Sequence, residues 1–510
     1  MKHQSFSSWV KGTFHKSARV GAAMTAVFIA AIIAVNVVIY GLASHFGWYF
    51  HAGESYEHTI GHATDAYLSE VSDRGDVRIL FCDAADTLEA DVIYNLVWQT
   101  ARQYAERYGF LHIENINIYT NPERVEPYKY QREEDGSYTI DPETGKRVQI
   151  NRISTSSVIL VSDTDYAVLA MESFFVLDSE RTITAYSGEE VFAAMIRRVL
   201  TEERPIAYFT TTHGETFSSA FNRRLLFAGY NAQEIDLWQE TPEVGDGNIL
   251  VLSNPRYDLD RGDPSAGVKG ELDRVEEFLA AGGSLYVMLD PLLTGTVGIE
   301  KLLADWGITP RRAVEGDGTR DAVTVRDSAN AVSTDGYALI TSFGDSDLAR
   351  EIAGEMDAVG SGRVIVREAM PLDLAGATGK TVSSLLVTSP TATAHANGQT
   401  VDTAGGYTVA AVSRDTTTGG GVFAVGSVYL TAQDAITTNE YGNKDLIFLV
   451  FRHLSGASVP IGTTYLLFSS GTLEGLTMRG ARLWTALLVG LIPLGVAIAG
   501  FICVRKRRNR

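Results

Sequence analysis

The sequence predicts an α/β protein in which a parallel-sheet domain is carried between two transmembrane helices, one near each end. Three observations lead there. Residues 20–43 and 483–504 are uncharged and apolar; at 1.5 Å per residue each can cross a hydrocarbon core of about 30 Å. Between residues 204 and 307, short apolar runs alternate with segments of helical period, as strands do when crossover helices join them. The long segment between the two spans is acidic, whereas both tails are basic.

The tails set the orientation. Lys2, Lys11, Lys16 and Arg19 precede the first span with no acid among residues 1–19. Arg505, Lys506, Arg507, Arg508 and Arg510 follow the second. Excess Lys and Arg marks the cytoplasmic side. Residues 1–19 and 505–510 are therefore expected in the cytoplasm, and the body of the chain outside the cell (inner or plasma) membrane. Arg479 and Arg482, on the outer side of the second span, are outnumbered by the terminal cluster. Trp48, Tyr49 and Trp484 sit where aromatic rings meet headgroups. A cleaved signal peptide is the competing reading of the first span, but its apolar stretch exceeds the roughly 7–15 residues of such peptides. Pro493 is tolerable in a membrane helix. Gly21 in the first span and Gly490, Gly495 and Gly500 in the second offer close helix packing. Two spans cannot line a transport pore.

A first module is expected over 44–200. Residues 76–84 read as a buried strand and 87–108 as a helix stopped by Gly109. Residues 110–119 alternate like a strand. Residues 128–151 are a polar hairpin excursion with turns at Asp135-Gly136 and Thr144-Gly145. Residues 156–162 form a strand and 188–200 a helix. A second module, 201–310, holds strands at 205–211, 231–237, 247–255 and 284–291. Its helices run over Glu215–Ala228, Val268–Ala281 and Ile299–Trp306, each followed by glycine, the usual C-terminal signal. A third, 311–465, is richer in Gly, Thr and Ser. It offers strands at 363–367, 383–388, 407–413 and 420–426, a helix at 443–455 and an irregular insertion near 315–380. A linker, 466–482, leads to the second span.

Composition excludes several functions. A net charge of −19 leaves no basic face for nucleic acid. The two cysteines, Cys82 and Cys503, lie in different apolar segments, so no disulfide framework is expected and Cys82 reads as core packing. There is no Gly-x4-Gly-Lys-Ser/Thr phosphate loop, no His-Glu-x2-His and no Cys-x2-Cys. Ser253 is not a nucleophile elbow, because Asn254-Pro255 opposes a helix start. His45, His51, His58 and His62 are irregularly spaced and read as an exposed stalk. Asp258, Asp260 and Asp263 lack the spacing of a calcium loop. No metal, cofactor or catalytic residue is therefore assigned. His213, Glu215, Asn254 and Asp290 end neighbouring strands, where open α/β sheets bind ligands. They are the candidate ligand- or partner-binding residues. In the competing structural reading Glu215 starts a helix and Asp290-Pro291 makes a turn.

The order of these segments resembles the gliding-motility-associated ABC-transporter auxiliary proteins (GldG-like). YFTTTHGE (208–215) is similar to that family's strand and Gly-His-Gly-Glu turn, with Thr212 in place of the first glycine. The helix at 186–205, LVLSNPRYDL (250–259) and VEEFLAAGGSLYVMLDP (275–291) match its next landmarks. GGGVFAVGS (419–427), YGNKDLIFLVFRHLSG (441–456) and the last span with its basic tail close the match. The resemblance implies a central module of flavodoxin-like, class I glutamine-amidotransferase-like fold. It also implies a non-catalytic subunit working with an ABC permease and a cytoplasmic ATPase, its ectodomain binding cargo or a partner. A membrane-anchored hydrolase acting on cell-surface material and a structural surface-assembly protein are the alternatives.

Overall fold

The structure, a computed structural model, describes residues 60–133, 135–178, 180–216, 218–263 and 265–468. The expected spans at 20–43 and 483–504, with Gly21, Gly490, Gly495 and Gly500, lie outside the described residues, as do both tails. Among the described residues no helix is long and apolar enough to cross a membrane.

The first elements are α1 (His62–Ser69), β1 (Val77–Phe81), α2 (Tyr94–Arg107), β2 (Leu111–Asn115), β3 (Ser157–Val161) and β4 (Tyr166–Ala170). The four strands pair in the order β2-β1-β3-β4, with β1 and β2 parallel and the other pairs antiparallel. β3 is buried along its whole length, which is why it reads as an unbroken apolar run. The helix expected over 87–108 is two helices, Ala85–Ala90 and α2. Asp91 separates them: its carboxylate accepts the N–H groups of Ile93 and Tyr94, both at 2.8 Å, and so caps the second start. The excursion at 128–151 carries the expected hairpin pairing, through bridges Tyr130–Gln149, Arg132–Tyr138 and Ile140–Arg147.

Next come α3 (Gly188–Val199), β5 (Ile206–Thr210), α4 (Ser219–Phe227), β6 (Asn231–Ile235), β7 (Ile249–Ser253), α5 (Glu271–Ala280), β8 (Ser284–Met288) and α6 (Val297–Asp305). Then follow β9 (Ala338–Phe343), α7 (Asp347–Ala358), β10 (Val364–Arg367), β11 (Lys380–Val387), β12 (Thr408–Asp415), β13 (Gly421–Val425) and α8 (Asn443–Ser455). They build a nine-stranded sheet in the order β10-β9-β11-β12-β13-β8-β7-β5-β6. β6, β5, β7, β8 and β13 run parallel; the strands beyond β13 alternate in direction. The sheet is thus mixed rather than wholly parallel. Side chains of the parallel strands alternate between two cores. Phe209, Val251, Tyr286 and Phe423 face one core with Phe192 of α3, Phe221 of α4 and Phe448 of α8. Tyr208, Leu250, Leu285 and Val422 face the other with Phe278 of α5 and Leu302 of α6.

Two further expectations change. The stretch near 315–380 is not an irregular insertion, since it contains β9, α7 and β10. β9 docks antiparallel on β11 through Ser342 and Phe343, so this part of the chain extends the sheet edge. The helix expected from Glu215 starts at Ser219, with the Ser218 hydroxyl accepting the Phe221 N–H at 3.1 Å. Glu215 stays in the preceding loop, free to turn its carboxylate elsewhere.

Candidate functional site

Counted along the chain, the five parallel strands lie in the spatial order 2-1-3-4-5. The strand order reverses between β5 and β7, and open α/β sheets bind ligands in the crevice at such a reversal, beyond the carboxyl ends of the strands. The loops leaving β5 and β7 carry His213, Glu215 and Asn254.

The β5 loop folds back on itself. Thr212 has φ +81° and Gly214 φ +69°. Glycine adopts this region freely, but a β-branched residue there is strained. Between them His213 turns inward and is only 6% exposed. Its main-chain carbonyl accepts the N–H groups of Arg256 at 2.8 Å and Tyr257 at 3.1 Å. A second clasp joins the loops: the Thr216 N–H donates to the Ser253 carbonyl at 3.0 Å, and the Ser253 hydroxyl donates to the Thr216 carbonyl at 2.6 Å. Ser253 thus serves as a loop fastener.

The His213 ring meets acceptors at both nitrogens. Nδ1 lies 3.1 Å from the Thr211 carbonyl and 3.4 Å from Glu215 Oε1. Nε2 lies 3.1 Å from Glu271 Oε2. Since neither acceptor side can donate while the carboxylates are ionised, both nitrogens carry a proton and the ring is an imidazolium. Burial by itself lowers the His213 pKa, but the hydrogen bond and charge of Glu215 and the charge of Glu271 outweigh it and raise it to about 9. Glu215 is correspondingly held below the usual carboxylate range: burial opposes this, and the bond to His213 prevails. Its Oε2 also accepts the His213 main-chain N–H at 2.8 Å. Glu271 Oε2 is shared with the Asp260 N–H at 3.0 Å. A ring spending both N–H groups on acceptors is a clamp on the loop, not a base waiting for a proton.

Asn254 also sits at positive φ, +54°. Its N–H donates to the Met288 carbonyl at 3.0 Å and its Nδ2 to Thr216 Oγ1 at 2.9 Å. Its Oδ1 is buried with no hydrogen-bond partner in the protein. The structure therefore brings His213, Glu215 and Asn254 into two clasped loops. Asp290 spends its bonds within its own turn. Its Oδ1 accepts the Leu292 N–H at 2.9 Å and its carbonyl the Leu293 N–H at 3.1 Å, which is the turn of the structural reading.

Sequence reasoning missed Glu271, 1% exposed. The available signal was an acid at the start of a helix, where the macrodipole favours it; nothing local pointed to His213. It also missed Asp258, whose carboxylate accepts the N–H groups of Gly298 at 2.5 Å and Ile299 at 3.1 Å and so caps α6. Around the two loops the same sheet edge presents exposed Arg256, Tyr257 (67% exposed) and Leu292 (66%). Elsewhere, Cys82 is buried directly after β1, and burial, then the neighbouring Asp83, pushes its thiol up to about 11. His62 opens α1 and is exposed, while His45, His51 and His58 lie outside the described residues. Among the described residues no group of three or more His, Cys, Asp or Glu side chains is placed to hold a metal ion.

No family model matches the chain, and no curated protein matches it. Among solved structures it is similar in fold to the mmIFT52 N-terminal domain, with 14% identity and TM-score 0.35, over 50% of this chain and 99% of that one. It is similar to PurLQS from Thermotoga maritima, with 8% identity and TM-score 0.27, over 49% and 98%. A ThuA-like protein from Bacteroides uniformis aligns with 10% identity and TM-score 0.29, over 50% and 93%. What these structures share with the chain is an α/β fold.

Proposed function

We propose that the chain is a membrane-anchored, non-catalytic auxiliary subunit of an ABC transporter complex, and that the β5–β7 sheet edge binds its partner or cargo outside the membrane. The reading rests first on the GldG-like order of landmarks along the sequence. The observation that carries the binding role is the state of His213. Its two ring N–H groups are committed to Thr211 and Glu271, with Glu215 alongside, so the loop is stiffened for recognition and not armed for proton transfer. The groups that remain outward are Arg256, Tyr257 and Leu292, the residue types that dominate recognition surfaces being Tyr and Arg. The spans at 20–43 and 483–504 would hold this edge outside, with both termini cytoplasmic.

The test is affinity purification of the tagged full chain from its native membrane. An ABC ATPase and a multi-span permease should co-purify. Gly495→Leu or Gly500→Leu should weaken that association by crowding the helix contact. Tyr257→Ala should reduce capture of an extracytoplasmic partner while leaving the permease bound. Recovery of the chain alone, or hydrolysis of cell-surface glycan or peptide by it, overturns the proposal.

A further inference from the structure

The opposite edge of the same sheet holds a cavity lined by basic side chains. It has a volume of ≈ 260 Å³ and is lined by Arg74, Arg197, Arg198 and Arg204 among others. Four guanidinium groups in one cleft are unexpected in a chain of net charge −19. Their positions follow from the fold. Arg197 and Arg198 are in the last turn of α3, where cations complement the helix dipole. Arg204 precedes β5 and Arg74 follows α1. Pro205, Gly229 and Asp246 bring the amino ends of β5, β6 and β7 to the wall. This is the edge away from His213, so the two sites are independent.

The charges are not all satisfied within the protein. Arg197 pairs with Glu70 at 2.9 Å, donates to the Tyr67 carbonyl at 3.1 Å and lies over the Tyr67 ring. Arg204 pairs with Asp165 and donates to the Arg198 carbonyl at 2.9 Å. Its Nε is buried with no hydrogen-bond partner and does not face the cleft. Arg198 donates to the Tyr230 carbonyl at 3.2 Å and to Asn231 Oδ1 at 2.7 Å, with neutral oxygens as its partners in both bonds. Burial, then the neighbouring Arg204, depress the Arg198 pKa to about 10, and the Asp165 carboxylate offsets them only in part. The cleft's own carboxylates, Glu203 and Asp246, are exposed and solvated. The remaining walls, Ala194, Ala228 and Gly456, are small and leave the space open.

We propose that this cleft binds a small phosphate-bearing anion, held by Arg198 and Arg204. Guanidinium groups recognise phosphate oxygens through paired N–H donors, and pre-positioned forks lose little freedom on binding. The volume, just below the roughly 300–1,000 Å³ of drug-sized ligand sites, suits a free phosphate ion or one phosphorylated headgroup. The site is distinct from the partner-binding edge and stands whether or not that reading holds.

The experiment titrates the purified full chain, in detergent at fixed ionic strength, with inorganic phosphate and separately with glycerol phosphate, reading heat and thermal midpoint. Saturable binding is expected, and Arg198→Gln should weaken it about tenfold or more, the usual size of a charged hydrogen bond. Arg74→Gln, at an exposed side chain, provides a variant that does not disturb the core and should weaken binding severalfold. Arg350→Gln, on the surface of α7, should leave it unchanged. Tighter binding of glycerol phosphate identifies a headgroup, and equal binding a free ion. Absence of saturable binding, or equal binding by the Arg198→Gln, Arg74→Gln and wild-type chains, overturns the site.

Discussion

Replacing His213 with Gln tests the clamp through pH. The ring is held at about 9 instead of its ordinary value near 6.5. A difference of that size corresponds to about 3 kcal/mol between the charged and neutral ring. Because Thr212 and Gly214 leave the loop open to solvent, screening reduces the contribution to about 1–2 kcal/mol. The folded value lies above the unfolded one, so the stabilisation is complete below pH about 6.5, declines above it and is gone past pH about 9. Glu215 works in the other direction. Its folded value is lowered, so its contribution is present above the ordinary glutamate range and is lost as pH falls through the lowered value. Unfolding midpoints of the full chain in detergent would be measured from pH about 6 to about 9.5. The wild type should lose about 1–2 kcal/mol across that range relative to His213→Gln, and the two curves should converge at the alkaline end. Parallel curves, or a variant more stable at pH 6, would refute the imidazolium clamp.

Three other perturbations probe separate parts of the fold. Thr212→Gly relieves a left-handed threonine at φ +81°; it should raise the unfolding midpoint by a net of about 0.5–1 kcal/mol, and a fall would show that the threonine side chain stabilises the loop. Glu190 of α3, Arg224 of α4 and Lys444 of α8 form a buried network, with Glu190 Oε1 at 2.5 Å from Arg224 and 3.5 Å from Lys444. Glu190→Gln strands the buried Arg224 and leaves Lys444 only Asp445, 3.9 Å away, and should cost about 3 kcal/mol in denaturant titrations; an unchanged midpoint would mean that Asp445 suffices to neutralise the cluster. Cys82 should resist thiol reagents in a Cys503→Ser background until the chain unfolds, and Cys82→Ala should cost about 1–2 kcal/mol; rapid native labelling would contradict its burial.

Most strands were legible in the sequence for a physical reason. β3, β7, β8 and β13 are buried on both faces, so each appears as an apolar run needing no partner to be recognised. The direction of the strands was not legible. β11 and β12 are half apolar, a content that fixes no direction, and only their pairing, Thr381 opposite Arg414 and Ser383 opposite Val412, makes them antiparallel. Helix starts were blurred where an acid had two uses. Asp91 sits inside a helical period yet caps a new helix. Glu215 looks like a first-turn acid yet bonds back to His213.

The candidate site was half legible, and the dividing line is sequence distance. His213 and Glu215 lie two residues apart, and their place after an apolar run marks them as a strand-end loop. Glu271 is 58 residues from His213, at the start of a helix where an acid has an ordinary explanation, so no local pattern could join them. Yet Glu271 completes what Glu215 begins. The Thr211 carbonyl and Glu215 hold only Nδ1, which leaves Nε2 without a partner on that side. Glu271 occupies that nitrogen and fixes the positive charge. The same triad accounts for Thr212 keeping a left-handed conformation that threonine resists: the clamp on His213 and the two N–H groups from Arg256 and Tyr257 on its carbonyl over-determine the loop. Loosening Glu271 should therefore act on Thr212 as well. In a Glu271→Gln background, Thr212→Gly should yield less than its stabilisation in the wild type, because the loop would already have relaxed. Additive effects of the two substitutions would show that the strain and the clamp are unconnected.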